Sequence, residues 1–156
     1  MKANIGITDK NKEAVAIILN ELLADEHILY IKTRNYHWNY EGSNFMELHK
    51  FYEEQYKVLE EMVDEIAERV RTLGHYAEGR MKDYLRLTHL QEQEYTTVQS
   101  EQLKNLLEDH ENIIVNLRKV ADKIDAVYKD AGTSEFVTGI MKQHEKMAWM
   151  IRSYLR

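Results

Sequence analysis

The chain has no cysteine, no proline and only 6 glycines among its 156 residues. The first absence excludes disulfide bridges, thiolate nucleophiles and cysteine metal ligands. The other two remove the residues that break or weaken a helix interior, so long uninterrupted helices are expected. No apolar run approaches the ~18 residues needed to cross a membrane, and no charged-then-apolar leader opens the sequence; a soluble, cytoplasmic protein is expected. Basic residues are outnumbered, 21 Lys and Arg against 27 Asp and Glu, for a net charge of −6. That balance opposes a general affinity for nucleic acid, where neutralised phosphates supply most of the binding, and suits cations. The length fits one domain with a real core, expected to span residues 1–156 with 1–9 as a short N-terminal segment.

What is present is helical periodicity. From about Lys10 to Trp38, Val15, Ile18, Leu19, Leu22, Leu23 and Leu29 recur at helical spacing, with Thr8 or Asp9 as N-cap. A break at 39–43 is followed by a second helix, capped by Ser43 or Asn44, that runs through Leu48, Phe51, Leu59, Val63, Ile66 and Val70 to Leu73, where Gly74 suits a C-cap. Residues 75–99 read as a long connection with two helical turns around Met81–Leu87. A third long helix is expected from a Ser100 cap through Leu103, Leu106, Ile113, Leu117, Val120 and Ile124. After a turn at Asp130–Ser134, a fourth runs through Phe136, Ile140, Met147 and Ile151. Four long helices with one long middle connection predict an all-α, ferritin-like four-helix bundle with a short extra helix in that connection.

The stretch HWNYEGSNFMELH sets His37 and His49 on either side of the first helix break. Further on, YEEQYKVLEEMVDEIAE carries seven carboxylates against a single lysine. A run of this kind is usually a solvated helix face. Here, however, His49 and Glu53 are four apart, as are Asp64 and Glu68, so each pair can present two donors to one cation. At ~100° per residue, Glu53, Asp64 and Glu68 lie about 40°, 60° and 100° round from His49, all on one side of the helix. Yet Asp64 is about 22 Å from His49 along the axis. Either the two pairs are unrelated, or two chains related by a two-fold axis share the site, each helix running antiparallel to its mate; His37 would then join His49 across the turn. Imidazole with carboxylate suits iron, zinc or manganese better than calcium or magnesium. No Glu-x-x-His pair occurs, so a di-iron centre of the usual carboxylate kind is not expected inside the bundle.

Thr33–Asn39, Glu41-Gly42, Phe45, Leu48-His49 and Val63–Arg69 together resemble the signatures of the Dps family, the miniferritins known as DNA-binding proteins from starved cells. Lys82–Leu85, Glu108–Glu111, Glu145-Lys146 and Trp149-Met150 extend the resemblance over nearly the whole chain. It implies a dodecameric shell built from two-fold dimers, in which Fe(II) is oxidised, preferentially by hydrogen peroxide over O2, and stored as ferric mineral, protecting against oxidative stress. Carried over, His37 and His49 come from one subunit and Asp64 and Glu68 from its partner as catalytic metal ligands, with Glu53 as a further ligand where the family often has Asp. Zinc is admitted as a competitor for the site.

Trp38 is read as packing at the dyad, with a redox role as the minority reading. His27, His75, His89, His110 and His144 are read as surface or hydrogen-bonded structural groups. The resemblance suggests Asp130 and Glu135 for an acidic three-fold pore and Glu54 for mineral nucleation. Ahead of the first helix, Lys2, Lys10 and Lys12 are offset by Asp9 and Glu13, so DNA binding is expected to be weak or absent. The alternative is a nucleoid-compacting structural protein with little ferroxidase activity.

Overall fold

The computed structural model describes residues 3–156; Lys2 lies outside them. Five helices follow one another: α1 (Asp9–Asn39), α2 (Phe45–Thr72), α3 (Met81–Leu87), α4 (Gln99–Ala126) and α5 (Ala131–Tyr154), with no strand among the described residues. The expected all-α four-helix bundle with a short extra helix is the architecture found.

Local chemistry sets the ends. Thr8 caps α1 by accepting from the Asn11 N–H at 3.2 Å. Gly74 takes a φ of +86°, the left-handed conformation that closes α2 and that glycine adopts without a Cβ clash. Two boundaries differ from expectation. α4 begins two residues early, with Val98 rather than Ser100 at its N-cap and no side-chain cap. Thr96 accepts from the Val98 N–H instead, and its hydroxyl bonds Glu101. α5 begins at Ala131, inside the stretch expected as a turn. The Asp130 carboxylate accepts from the Thr133 N–H at 2.9 Å and meets Arg69 at 3.3 Å, so the helix can start immediately after it. Asp130→Ala removes cap and ion pair together and should lower stability by about 1–2 kcal/mol, read as a shift in the denaturant midpoint.

α1 and α2 form one antiparallel pair and α4 and α5 another. Their apolar stripes make a continuous core, in which Leu19, Leu23, Leu29, Leu48, Leu59, Ile66, Leu103, Ile124, Val137 and Ile151 are all 0% exposed. Polar ties join the pairs: Tyr36 Oη accepts from Asn105 at 2.8 Å, Lys32 meets Asp109, and Tyr52 Oη donates to Gln102 at 3.2 Å. Along α1 and α4 these partners run in opposite directions, so α4 is parallel to α2. That is why a long connection is needed between them. The connection is pinned from α1, where Asp25 accepts from Thr88 Oγ1 and from the His89 N–H, and Lys32 donates to the Gln91 carbonyl at 2.6 Å. No helix among the described residues is long and apolar enough to cross a membrane.

Candidate metal centre

The tight turn from α1 to α2 brings the two histidines of the interrupted stretch face to face. Their rings stack with centroids 3.7 Å apart at 18°. His37 Nδ1 donates to the His49 carbonyl at 2.7 Å, and His49 Nδ1 donates to the His37 carbonyl at 2.9 Å. A carbonyl can only accept, so both Nδ1 atoms carry the proton. In the neutral imidazoles, each Nε2 is therefore left with its lone pair free for a metal. A hydrogen bond on the far nitrogen is how metal-binding histidines are usually oriented.

An aromatic shell surrounds the pair. Tyr56 stands edge-on to His37 at 5.2 Å, and Phe45 stacks on His49 at 5.0 Å. The Arg34 guanidinium lies over Trp38 at 4.8 Å and near the Tyr30 and Tyr56 rings. Trp38 itself is 60% exposed within the subunit.

Glu53 lies one helical turn beyond His49. A hydrogen bond from Lys57, at 2.7 Å, is the main reason its pKa is lowered from the usual carboxylate value. Asp64 and Glu68 sit further along α2, both exposed. Accordingly, the described residues of one subunit contain no group of three or more His, Cys, Asp or Glu side chains placed to hold a metal ion. The structure thus brings His37 and His49 together, turns the Glu53 carboxylate to Lys57, and leaves Asp64 and Glu68 further along α2.

Of the other acidic positions, Asp130 sorts differently from what the resemblance suggested. Asp130 is 3% exposed, its carboxylate taken up by Thr133 and Arg69, so it is not available to line a pore; Glu135 and Glu54 are exposed. Among the remaining histidines, His27 bonds the Leu23 carbonyl and stacks on Tyr84 of α3, and His89 meets Asp25. His110 and His144 are buried in a polar chain with Glu26. The roles of Tyr56 and Arg34 around His37 were missed at the level of sequence, although Tyr30, Arg34 and Trp38 share one face of α1 at a spacing of four.

Comparison with known proteins places this arrangement. The ferritin-like domain family matches residues 17–156. A low temperature-induced protein of Nostoc sp. is 43% identical over 155 residues, covering 99% of this chain and 87% of the relative. DNA protection during starvation protein 2 of Bacillus anthracis is 34% identical, covering 93% and 98%. Among solved structures, the DPS protein of Vibrio cholerae O1, described as a member of a broad superfamily of ferritin-like diiron-carboxylate proteins, matches with a TM-score of 0.94 at 29% identity over 99% of this chain and 97% of that one. DpsC of Streptomyces coelicolor matches with a TM-score of 0.95 at 27% identity over 100% and 91%. With its bundle, its interrupted histidine stretch and its relatives agreeing along nearly the whole length, the chain belongs to the Dps family of ferritin-like miniferritins.

Proposed function

We propose that this protein is a ferroxidase and iron store, oxidising Fe(II) at centres shared across a two-fold dimer interface and holding the ferric product in a dodecameric shell. Family membership supports iron storage and protection in general. The observation that carries the finer proposal is the paired histidines, each with its Nδ1 proton committed to a carbonyl, on the same helix hairpin as two exposed carboxylates about 22 Å away. In an antiparallel dimer, His37 and His49 of one subunit would meet Asp64 and Glu68 of the other, with Glu53 joining from the histidine side.

Fe(II) is the substrate. Imidazole and carboxylate ligands both suit it, and the carboxylates favour the ferric product by matching its higher charge. One hydrogen peroxide takes one electron from each of two Fe(II) ions, its O–O bond breaks, and hydrolysis of the ferric ions to mineral releases protons. Consuming peroxide and Fe(II) together removes the reagents that generate hydroxyl radicals. O2 is the alternative oxidant, and zinc, with the same ligand preferences, is a competitor for the centre.

The chain is read as one ferritin-like domain over residues 1–156, working in the cytoplasm. Size exclusion followed by anaerobic Fe(II) loading and peroxide addition tests the main proposal. A large assembly with rapid oxidation is expected, with oxidation greatly slowed in a His49→Ala, Asp64→Ala double variant; a monomer, or an unchanged rate in the variant, would overturn it. Weak or absent DNA binding is supported by the net charge of −6 and by Lys12, which is buried and engaged by Asp9 and the Ala3 carbonyl rather than offered to phosphate. Retention of plasmid by the assembled protein in a gel at physiological salt would favour the nucleoid-compacting alternative instead.

A further inference from the structure

The bundle interior holds a polar chain that the iron chemistry does not use. Glu26 on α1, His144 on α5 and His110 on α4 are 0%, 0% and 1% exposed. His144 Nε2 lies 2.7 Å from Glu26 Oε1, and His144 Nδ1 lies 2.8 Å from His110 Nδ1. Glu26 Oε2 is buried without a hydrogen-bond partner. The donor atoms are spent on one another in a line rather than gathered round a common point, so the ligand this arrangement takes is a proton.

Its proton count follows from the contacts. Two ring nitrogens 2.8 Å apart need one proton between them. The link between the rings closes while one Nδ1 donates and the other accepts. A further proton on His110 either sets N–H against N–H across that link or places a charge on a ring that is 1% exposed, and both outcomes favour opening. His144 faces His110 from α5, with Glu26 of α1 behind it; the neighbouring Asp109 is turned to Lys32 of α1. The buried residues of α2 between Tyr52 and Val70 are Gln55, Leu59, Met62 and Ile66, none of them titratable. Burial first, and His144 beside it second, hold the His110 pKa well below its ordinary value.

We propose that Glu26, His144 and His110 form an acid-operated latch between the α1–α2 and α4–α5 pairs, closed while His110 is neutral and opened when it takes up a proton. Because the folded pKa is the lowered one, the latch is at full strength above the unfolded value of about 6.5 and weakens as pH falls below it. Each pH unit below that point favours opening about tenfold, equivalent to about 1.36 kcal/mol.

Hydrogen exchange on the assembled protein, corrected for the intrinsic rate, reads this locally. Amides around 106–114 of α4 and 140–148 of α5 should open about tenfold more per pH unit between pH 6.5 and 5. His110→Gln should abolish that dependence while His75→Gln leaves it intact. His110→Asn gives the same comparison if the glutamine variant does not fold. Equal opening at pH 5 and 7.5 in the wild type, or the same dependence in the His110 variants, would overturn the proposal. Iron oxidation is not needed for the measurement, so its outcome is separate from that of the ferroxidase proposal.

Discussion

Co-assembling equal amounts of a His49→Ala and an Asp64→Ala variant should restore iron oxidation that neither possesses alone. If one centre draws its histidines from one subunit and its carboxylates from the other, each pure variant has two damaged centres per dimer. In a mixed dimer both lesions fall in the same centre, because the His49→Ala subunit and the Asp64→Ala subunit meet there. The second centre, built from the intact His49 of one chain and the intact Asp64 of the other, is wild type. Random pairing makes about half of the dimers mixed, so about a quarter of all centres should be whole. Rapid oxidation amplitude after unfolding and refolding the mixture measures that fraction. A centre contained within one chain has no intact copy in any such mixture, and an amplitude equal to the sum of the two parents would refute the shared arrangement.

The largest stability effect is expected at the buried ion pair between Lys32 and Asp109, both side chains 4% exposed. Burial raises the Asp109 pKa, and this outweighs the opposing charge and hydrogen bond of Lys32. The pair is therefore not a strong net source of stability, but either member alone is a liability. Lys32→Met leaves a carboxylate in the core with no cation and also frees the Gln91 carbonyl of the long connection; a loss of about 3–5 kcal/mol is expected. Lys32→Met with Asp109→Leu removes both charges and should recover most of that loss. Denaturant midpoints of the wild type, the two single variants and the double variant close the cycle. A double variant as unstable as Lys32→Met would show that the connection to Gln91, rather than the stranded charge, carries the effect.

The long helices were readable from apolar spacing because each buries one continuous stripe, and Leu103, Leu106, Ile113, Leu117 and Ile124 line up in α4 as the period requires. The ends were less readable. Asp130 and Ser100 are both good capping residues, and only the packing of Arg69 and Thr133 on one side, and of Thr96 on the other, decides where α5 and α4 begin. In the candidate centre, the nearness of His49 to Glu53 follows from helical geometry. The reciprocal bonds of His37 and His49 depend on the path of the turn between them, which no local pattern reveals. Glu26, His110 and His144 carried a signal that went unused. Each lies on the apolar stripe of its helix: Glu26 between Leu22, Leu23 and Leu29, His110 between Leu106 and Ile113, His144 between Ile140 and Met147. A polar residue at such a position has to find a partner across the core.

The carbonyl bonds that hold His37 and His49 also divide the labour of assembly. The ordering entropy of both rings is met when the α1–α2 hairpin folds, so a single subunit already presents a rigid jaw. Asp64 and Glu68 remain on an exposed helix face, free to adjust. On the proposed shared plan, closing a dimer would set a preorganised half against a compliant one: the histidines would fix where the ion sits, and the carboxylates could follow it as its charge and radius change on oxidation.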